Sequence, residues 1–229
     1  ANLTGANLRD ANFSRVNLQE ANLTGADLNG TDFTDAIFSS HTKWPAGFDH
    51  LTVGAHGPGV DYSSKEFLLN ARHWDLKGTN FEGAEIKSTD FRRTNLAEAN
   101  LRDANFSRVN LQEANLTGAD LNGTDFTDAI FSSHTKWPAG FDHLTVGAHG
   151  PGVDYSSKEF LLNARHWDLK GTNFEGAEIK STDFRRTNLA EANLRDANFS
   201  RVNLQEANLT GADLRGTDLS EIKHNSHTK

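Results

Sequence analysis

ANLTG ANLRD ANFSR VNLQE ANLTG ADLNG TDFTD, residues Ala1 to Asp35, divides naturally into blocks of five. Leu3, Leu8, Phe13, Leu18, Leu23, Leu28 and Phe33 place one large apolar residue in every block, with mostly Ala, Val or Thr two positions before it. A period of five fits neither the 3.6 of an amphipathic helix nor the 2 of a half-buried strand. The chain must therefore turn a corner every five residues. Each side then buries one large and one small side chain and turns the other three to water. Phe13 and Phe33 lie twenty residues apart, as do Phe106 and Phe126, which predicts four sides per coil.

Three runs keep the pattern: 1–40, 74–133 and 167–221. The first two contain whole numbers of four-sided coils. Between them lie two identical 33-residue inserts, 41–73 and 134–166, expected to leave and re-enter the solenoid at one corner without shifting its phase. The inward positions of the middle run define the expected structural core: Leu76, Phe81, Ile86, Phe91, Leu96, Leu101, Phe106, Leu111, Leu116, Leu121, Phe126 and Phe131. A longer period of 93 residues overlies the short one. Ala6 to Glu98 recurs unchanged as Ala99 to Glu191, and a third copy from Ala192 stays identical to Leu214. Folding alone tolerates many surface substitutions, so perfect identity points to recent duplication or design. The divergent end, 222–229, still closes on His227-Thr228-Lys229, which aligns with His41-Thr42-Lys43 and His134-Thr135-Lys136.

The A-(D/N)-(L/F)-x-x unit resembles the pentapeptide-repeat family, and the resemblance covers about two thirds of the chain. It implies an all-β, right-handed, four-sided β-solenoid spanning 1–229 as a single domain, with the Leu or Phe and the preceding small residue pointing inward. The insert stretch Lys43-Trp44-Pro45-Ala46-Gly47-Phe48-Asp49 is similar to a WPxGFD-like segment of cyanobacterial members. Some members of the family act as DNA mimics that engage gyrase. The run from Trp74 to Ser133 carries ten acids and six bases. Three coils at about 4.8 Å spacing would match a length of duplex bearing about eight charges. The run has half that charge, with Arg92, Arg93, Arg102 and Arg108 interleaved, so mimicry ranks below other readings.

The inserts hold every Pro and Tyr, most of the His and half of the Trp, and irregular segments carry function more often than scaffolds do. The expected contact loops are marked by Trp44, Phe48, His50, His56 and Tyr62, and in the second copy by Trp137, Phe141, His143, His149 and Tyr155. Ser63-Ser64-Lys65-Glu66 before Phe67-Leu68-Leu69 resembles a capping box that would open a short helix. An equally weighted alternative keeps the insert in the solenoid, with Phe48, Val53, Tyr62 and Phe67 as degenerate inward positions. His41, His50, His56 and His73 lack any paired ligand spacing and read as packing or loop histidines. Gly54 to Gly59 lacks the Lys-Ser/Thr of a phosphate cradle. Trp44 and Trp74 could form a ligand-facing patch, but packing over an open corner is the favoured reading. Sequons such as Asn2, Asn12 and Asn22 arise automatically from ANLT and ANFS units.

The formal charge of -8 argues against nucleic-acid and anionic-membrane partners, which call for basic patches. No apolar run approaches the length of a membrane span. Without cysteine there are no disulfides and no thiol chemistry. Catalytic motifs and paired-acid pockets are missing, so no enzyme and no cofactor are expected. The first residues already belong to the repeats, no methionine opens the chain, and His224 stands where a large apolar residue is expected. The chain therefore reads as excised, processed or designed, with bare coil ends. The expected role is a structural scaffold, as a segment of a fibre that self-associates end to end or laterally. The runner-up is a module that regulates another protein, topoisomerase-like targets included.

Overall fold

The computed structural model describes residues 1–66, 70–160 and 163–229. Each pentapeptide contributes a single bridging residue rather than a full strand, and every bridge is parallel. Asn2 pairs with Asn22, Asn7 with Asp27, Asn12 with Asp32 and Asn17 with Ile37, which gives four faces at a spacing of twenty residues. No helix occurs among the described residues. The described chain divides into two compact units, Ala1–Asp125 with Lys136–Phe141, and Phe126–Thr135 with Asp142–Lys229.

One local geometry repeats at each corner. The amide of Ala6 donates to Leu3 O at 3.1 Å, closing a turn whose second central residue, Gly5, has φ +66°. A positive φ at that position is the signature of a type II turn. Arg15 (φ 60°), Glu20 (61°), Arg93 (60°) and Glu113 (62°) occupy the same fifth position in their blocks. The residue before each Leu or Phe is Asn or Asp for a local reason. Its side-chain oxygen accepts the backbone N–H two residues on, as in Ser14 N to Asn12 Oδ1 at 2.8 Å, and this pre-forms the corner. The same side chains also stack between coils. Asn115 Nδ2 donates to Asn95 Oδ1 at 3.2 Å, and Asn95 Nδ2 donates to Asp75 Oδ1 at 2.9 Å.

Inside the first unit, Leu76, Phe81, Ile86, Phe91, Leu96, Leu101, Phe106, Leu111 and Leu116 have no solvent exposure. Leu121 is buried in the same unit, and Phe131 in the second. Phe106 sits 5.5 Å from Phe91 and 6.3 Å from Phe81, ring centre to ring centre. Small positions vary with their packing. Thr79 is fully buried, and its hydroxyl donates to Leu76 O at 2.6 Å, so the polar atom is satisfied.

The inserts do not leave the solenoid at one corner. Lys43 pairs with Asn22 on the first face, and His56 pairs with Ile37 on the fourth. Asp61 and Glu66 then lie beneath Asn80 and Glu85, Ala71 N donates to Asp90 O, and Asp75 lies beneath Asn95. Counting on from His56, Asp61 takes the first face and Asp75 returns to the fourth. Asn95 and Lys136, the copies of Asn2 and Lys43, therefore stand on the fourth face, whereas the originals stand on the first. Phase is not conserved, because the 93 residues from Asn2 to Asn95 pass nineteen faces where a whole number of coils needs twenty; the coils at the insert are also short, with offsets of nineteen between Ile37 and His56 and between Asp61 and Asn80. Each copy falls one face short of a whole number of coils.

The capping box is a further correction. Ser63 and Ser64 form a corner, with Ser64 at φ 54°, and Glu66 is a bridging residue. Ser63 N donates to Asp61 Oδ1 at 2.9 Å, the turn used by the repeats that carry Asn or Asp before the large residue. Phe67, Leu68 and Leu69 lie outside the described residues. Of the alternative's degenerate inward positions, Tyr62 is buried, while Val53 and Phe48 are half-buried. The divergent end also stays paired: Lys223 bridges Asn203, and Leu209 N donates to Lys229 O at 2.7 Å. His224 is exposed.

Two substitutions two residues apart test this geometry. Phe106→Asp places an unpaired charge in the stack and is expected to cost several kcal/mol. Arg108→Gly removes the strain of a φ of 59° while adding chain entropy, for a net change within about 1 kcal/mol. Urea unfolding of the two variants would show this contrast. Equal losses would refute the inward and corner assignments.

Candidate functional site

Between Lys43 and His56 the chain spans the second and third faces without forming a bridge, and the loop 44–55 closes over the coil beneath it. Phe48 N donates to Pro45 O at 3.1 Å, and Leu51 N donates to Asp49 Oδ1 at 3.2 Å, so two tight turns shape the loop. Trp44 lies between two rings. It stacks on Phe48 at 5.4 Å and 24°, and on His50 at 5.3 Å and 11°. Its edge meets Phe33 at 5.5 Å and Phe38 at 5.7 Å, both buried residues of the coil below. Trp44, Phe48 and His50 are thus brought together as a plug over the apolar core. The indole Nε1 of Trp44 is buried with no hydrogen-bond partner among the described residues. The large apolar residue that this loop leaves to solvent is Leu51, 43% exposed.

His56 and Tyr62 form a second group. His56 Nδ1 lies 2.6 Å from Tyr62 Oη, and Nε2 lies 3.4 Å from Asp35 Oδ1. The His56 ring stacks on Trp74 at 5.3 Å and 17°, and Tyr62 stacks on Phe81 at 5.1 Å and 14°. Burial lowers the His56 pKa, and the hydrogen bond and charge of Asp35 oppose that shift in part. Burial also pushes the Tyr62 phenol above its ordinary value, so the hydroxyl keeps its proton. Gly57 is required next to His56, because the Phe38 ring lies 2.6 Å from where a Cβ would stand. Trp44 and Trp74 therefore belong to separate groups. Sequence reading missed the role of Asp35. The available signal was its place at a corner beside the Ile37 face that His56 joins.

The second copy repeats the contacts. Trp137 stacks on Phe141 at 5.4 Å in the first unit, beside a cavity of about 240 Å³ lined by 119–122 and 138–141. In the second unit His143 meets Phe131 edge-on at 5.1 Å, and His149 Nδ1 lies 2.7 Å from Tyr155 Oη. Leu144 is 44% exposed there. Among the described residues no group of three or more His, Asp or Glu is placed to hold a metal ion.

A family model described as pentapeptide repeats matches the chain in eight copies, over residues 1–39, 70–103, 94–132, 163–196 and 182–221. The unmatched stretches contain the loops and the coils that close them. No curated protein matches the chain. Among solved structures, HetL, a pentapeptide repeat protein involved in heterocyst differentiation regulation from the cyanobacterium Nostoc sp. strain PCC 7120, is 20% identical. The match covers 97% of this chain and 87% of that one, with a TM-score of 0.26. A trypsin-treated variant of QnrB1, a plasmid-mediated fluoroquinolone resistance protein, is 18% identical over 99% of this chain and 90% of that one, with a TM-score of 0.30. A pentapeptide repeat protein from the cyanobacterium Cyanothece 51142 is 18% identical over 94% and 88%, with a TM-score of 0.17.

The plug predicts unequal costs within one loop. Trp44→Ala is expected to lower stability by about 2–3 kcal/mol through lost ring contacts. Leu51→Ser should change it by less than about 0.5 kcal/mol. Chemical denaturation of both variants checks the ranking, and the reverse order would reject the plug.

Proposed function

The chain belongs to the pentapeptide-repeat family, whose members fold as right-handed β-helices, and from that premise we propose a non-enzymatic scaffold that works through protein contact, first with copies of itself. The reading is supported by how the coil faces spend their polar groups on one another. Arg93 forms a bidentate pair with Glu113 one coil on, at 2.8 and 3.0 Å, and Arg186 does the same with Glu206 at 2.8 and 3.3 Å. Asp90 is held by Arg92 at 2.6 Å. Carboxylates committed in this way offer a poor start for acid–base chemistry, which needs a group with a free partner and a shifted pKa.

The observation that carries the proposal is the pair of exposed leucines, Leu51 and Leu144, which stand at equivalent places in two loops whose aromatic residues are turned inward. Self-association is proposed to run through these leucines, since each is a large apolar side chain that its own loop leaves in water.

Sedimentation velocity over a range of concentrations tests the scaffold. Species heavier than the 25.2 kDa monomer are expected, and Leu51→Glu with Leu144→Glu should weaken association about tenfold. A monomer at high concentration would overturn self-association. A regulatory module that docks on a foreign protein, a topoisomerase-like enzyme included, would then be the better account.

A further inference from the structure

The half-buried histidines His56 and His149 are not explained by loop presentation. His56 and His149 are wired alike: one ring nitrogen faces a buried tyrosine hydroxyl at 2.6 and 2.7 Å, and the other faces an aspartate at 3.4 Å. Trp74 covers the His56 ring at 5.3 Å, and Trp167 covers the His149 ring at 5.2 Å. Each tyrosine hydroxyl keeps its proton and so can donate to Nδ1. In that arrangement Nδ1 is the bare nitrogen, and Nε2–H points to Asp35 or Asp128. A second proton on the ring would break the bond the hydroxyl donates, since the hydroxyl would have to turn and accept instead.

We propose that His56 and His149 are proton-operated latches that hold closed the coils that follow loops 44–55 and 137–148. Among the described residues, the following charged and titratable groups stand around them. His56 faces Tyr62 on its own coil and Asp35 on the coil beneath, which Arg15 approaches at 3.7 Å. Asp61 and Lys65 follow on its own coil, with Lys65 Nζ tied to Asp61 O at 2.9 Å. His149 faces Tyr155 and Asp128, and it lines a cavity of about 430 Å³ with Asp154 and Lys158. Asp35 and Asp128 favour the imidazolium, but each is about 40% exposed and lies at the long end of hydrogen-bond range. Burial disfavours it more, and the folded pKa lies below the ordinary 6.5 in both copies.

The direction of the effect follows from linkage. A histidine whose folded pKa is depressed takes up protons more readily when its coil is open. The latch is fully closed above the ordinary pKa of about 6.5 and weakens as pH falls from there toward the folded value. His56 N donates to Ala36 O at 2.7 Å, and Phe38 N donates to His56 O at 2.9 Å. Those amides should therefore report the opening.

Hydrogen exchange of the amides of Phe38, His56, Phe131 and His149 at about pH 7.5 and about pH 5.5, corrected for intrinsic rates, is the test. Protection is expected to fall about tenfold at the lower pH, while Leu101 and Phe106 hold theirs. Tyr62→Phe with Tyr155→Phe removes the opposing donor and should shrink the pH effect. Unchanged protection at the four amides, an equal loss at Leu101 and Phe106, or a full effect in the phenylalanine variant would each overturn the latch. Nitrogen NMR of the wild-type rings at about pH 7.5 adds an independent arm, since a protonated Nδ1 would also overturn it.

Discussion

A left-handed residue at every fifth position is the constraint on which the rest depends. It turns the chain at each corner and fixes which side chains face inward and which stack along a face. Glycine adopts that backbone freely, but Asp10, Arg15, Glu20, Arg93 and many others hold it with a side chain attached. The strain is about 1 kcal/mol at each non-glycine corner. Summed over the twenty-two such residues described, it exceeds the net stability of an ordinary domain, about 5–15 kcal/mol. Stacking must therefore over-determine every corner. It does so through the Leu and Phe core, the backbone bonds between coils, and the Asn and Asp side chains that brace each turn from the preceding position.

Those Asn and Asp side chains link local structure to the surface that remains for function. Each closes its own turn and many reach the equivalent residue one coil away. Together with pairs such as Arg93–Glu113, they leave the flat faces largely self-satisfied. Individually, such exposed pairs contribute little to stability. Their main effect is to occupy groups that would otherwise face solvent unpaired.

The repeats were legible because a period of five has few structural solutions. Leu76 to Phe131 could be assigned inward from spacing alone, and twenty-residue phenylalanine spacing gave the number of faces. The insert was not legible, for a physical reason. Its inward positions depart from Leu and Phe: Gly57 stands where the Phe38 ring leaves room for nothing larger, and His56 occupies a bridging position held elsewhere mostly by Asn or Asp. With the period lost, sequence could not tell a coil of nineteen from a loop that departs and returns. The Ser63 to Glu66 stretch misled for a related reason. A serine before a bridging glutamate satisfies the pattern of a helix cap, although Asp61 was already in place to make it a corner. Asp35, Trp74 and His56 could not be grouped by sequence, because their proximity comes from stacking neighbouring coils.

The one-face slip means that identical sequence does not secure identical surroundings. Lys43 and Lys136 show this directly, since identical sequence puts them on neighbouring faces. Restoring the phase would take one further side of five residues in each copy, because a copy passes nineteen sides and a whole number of coils needs twenty.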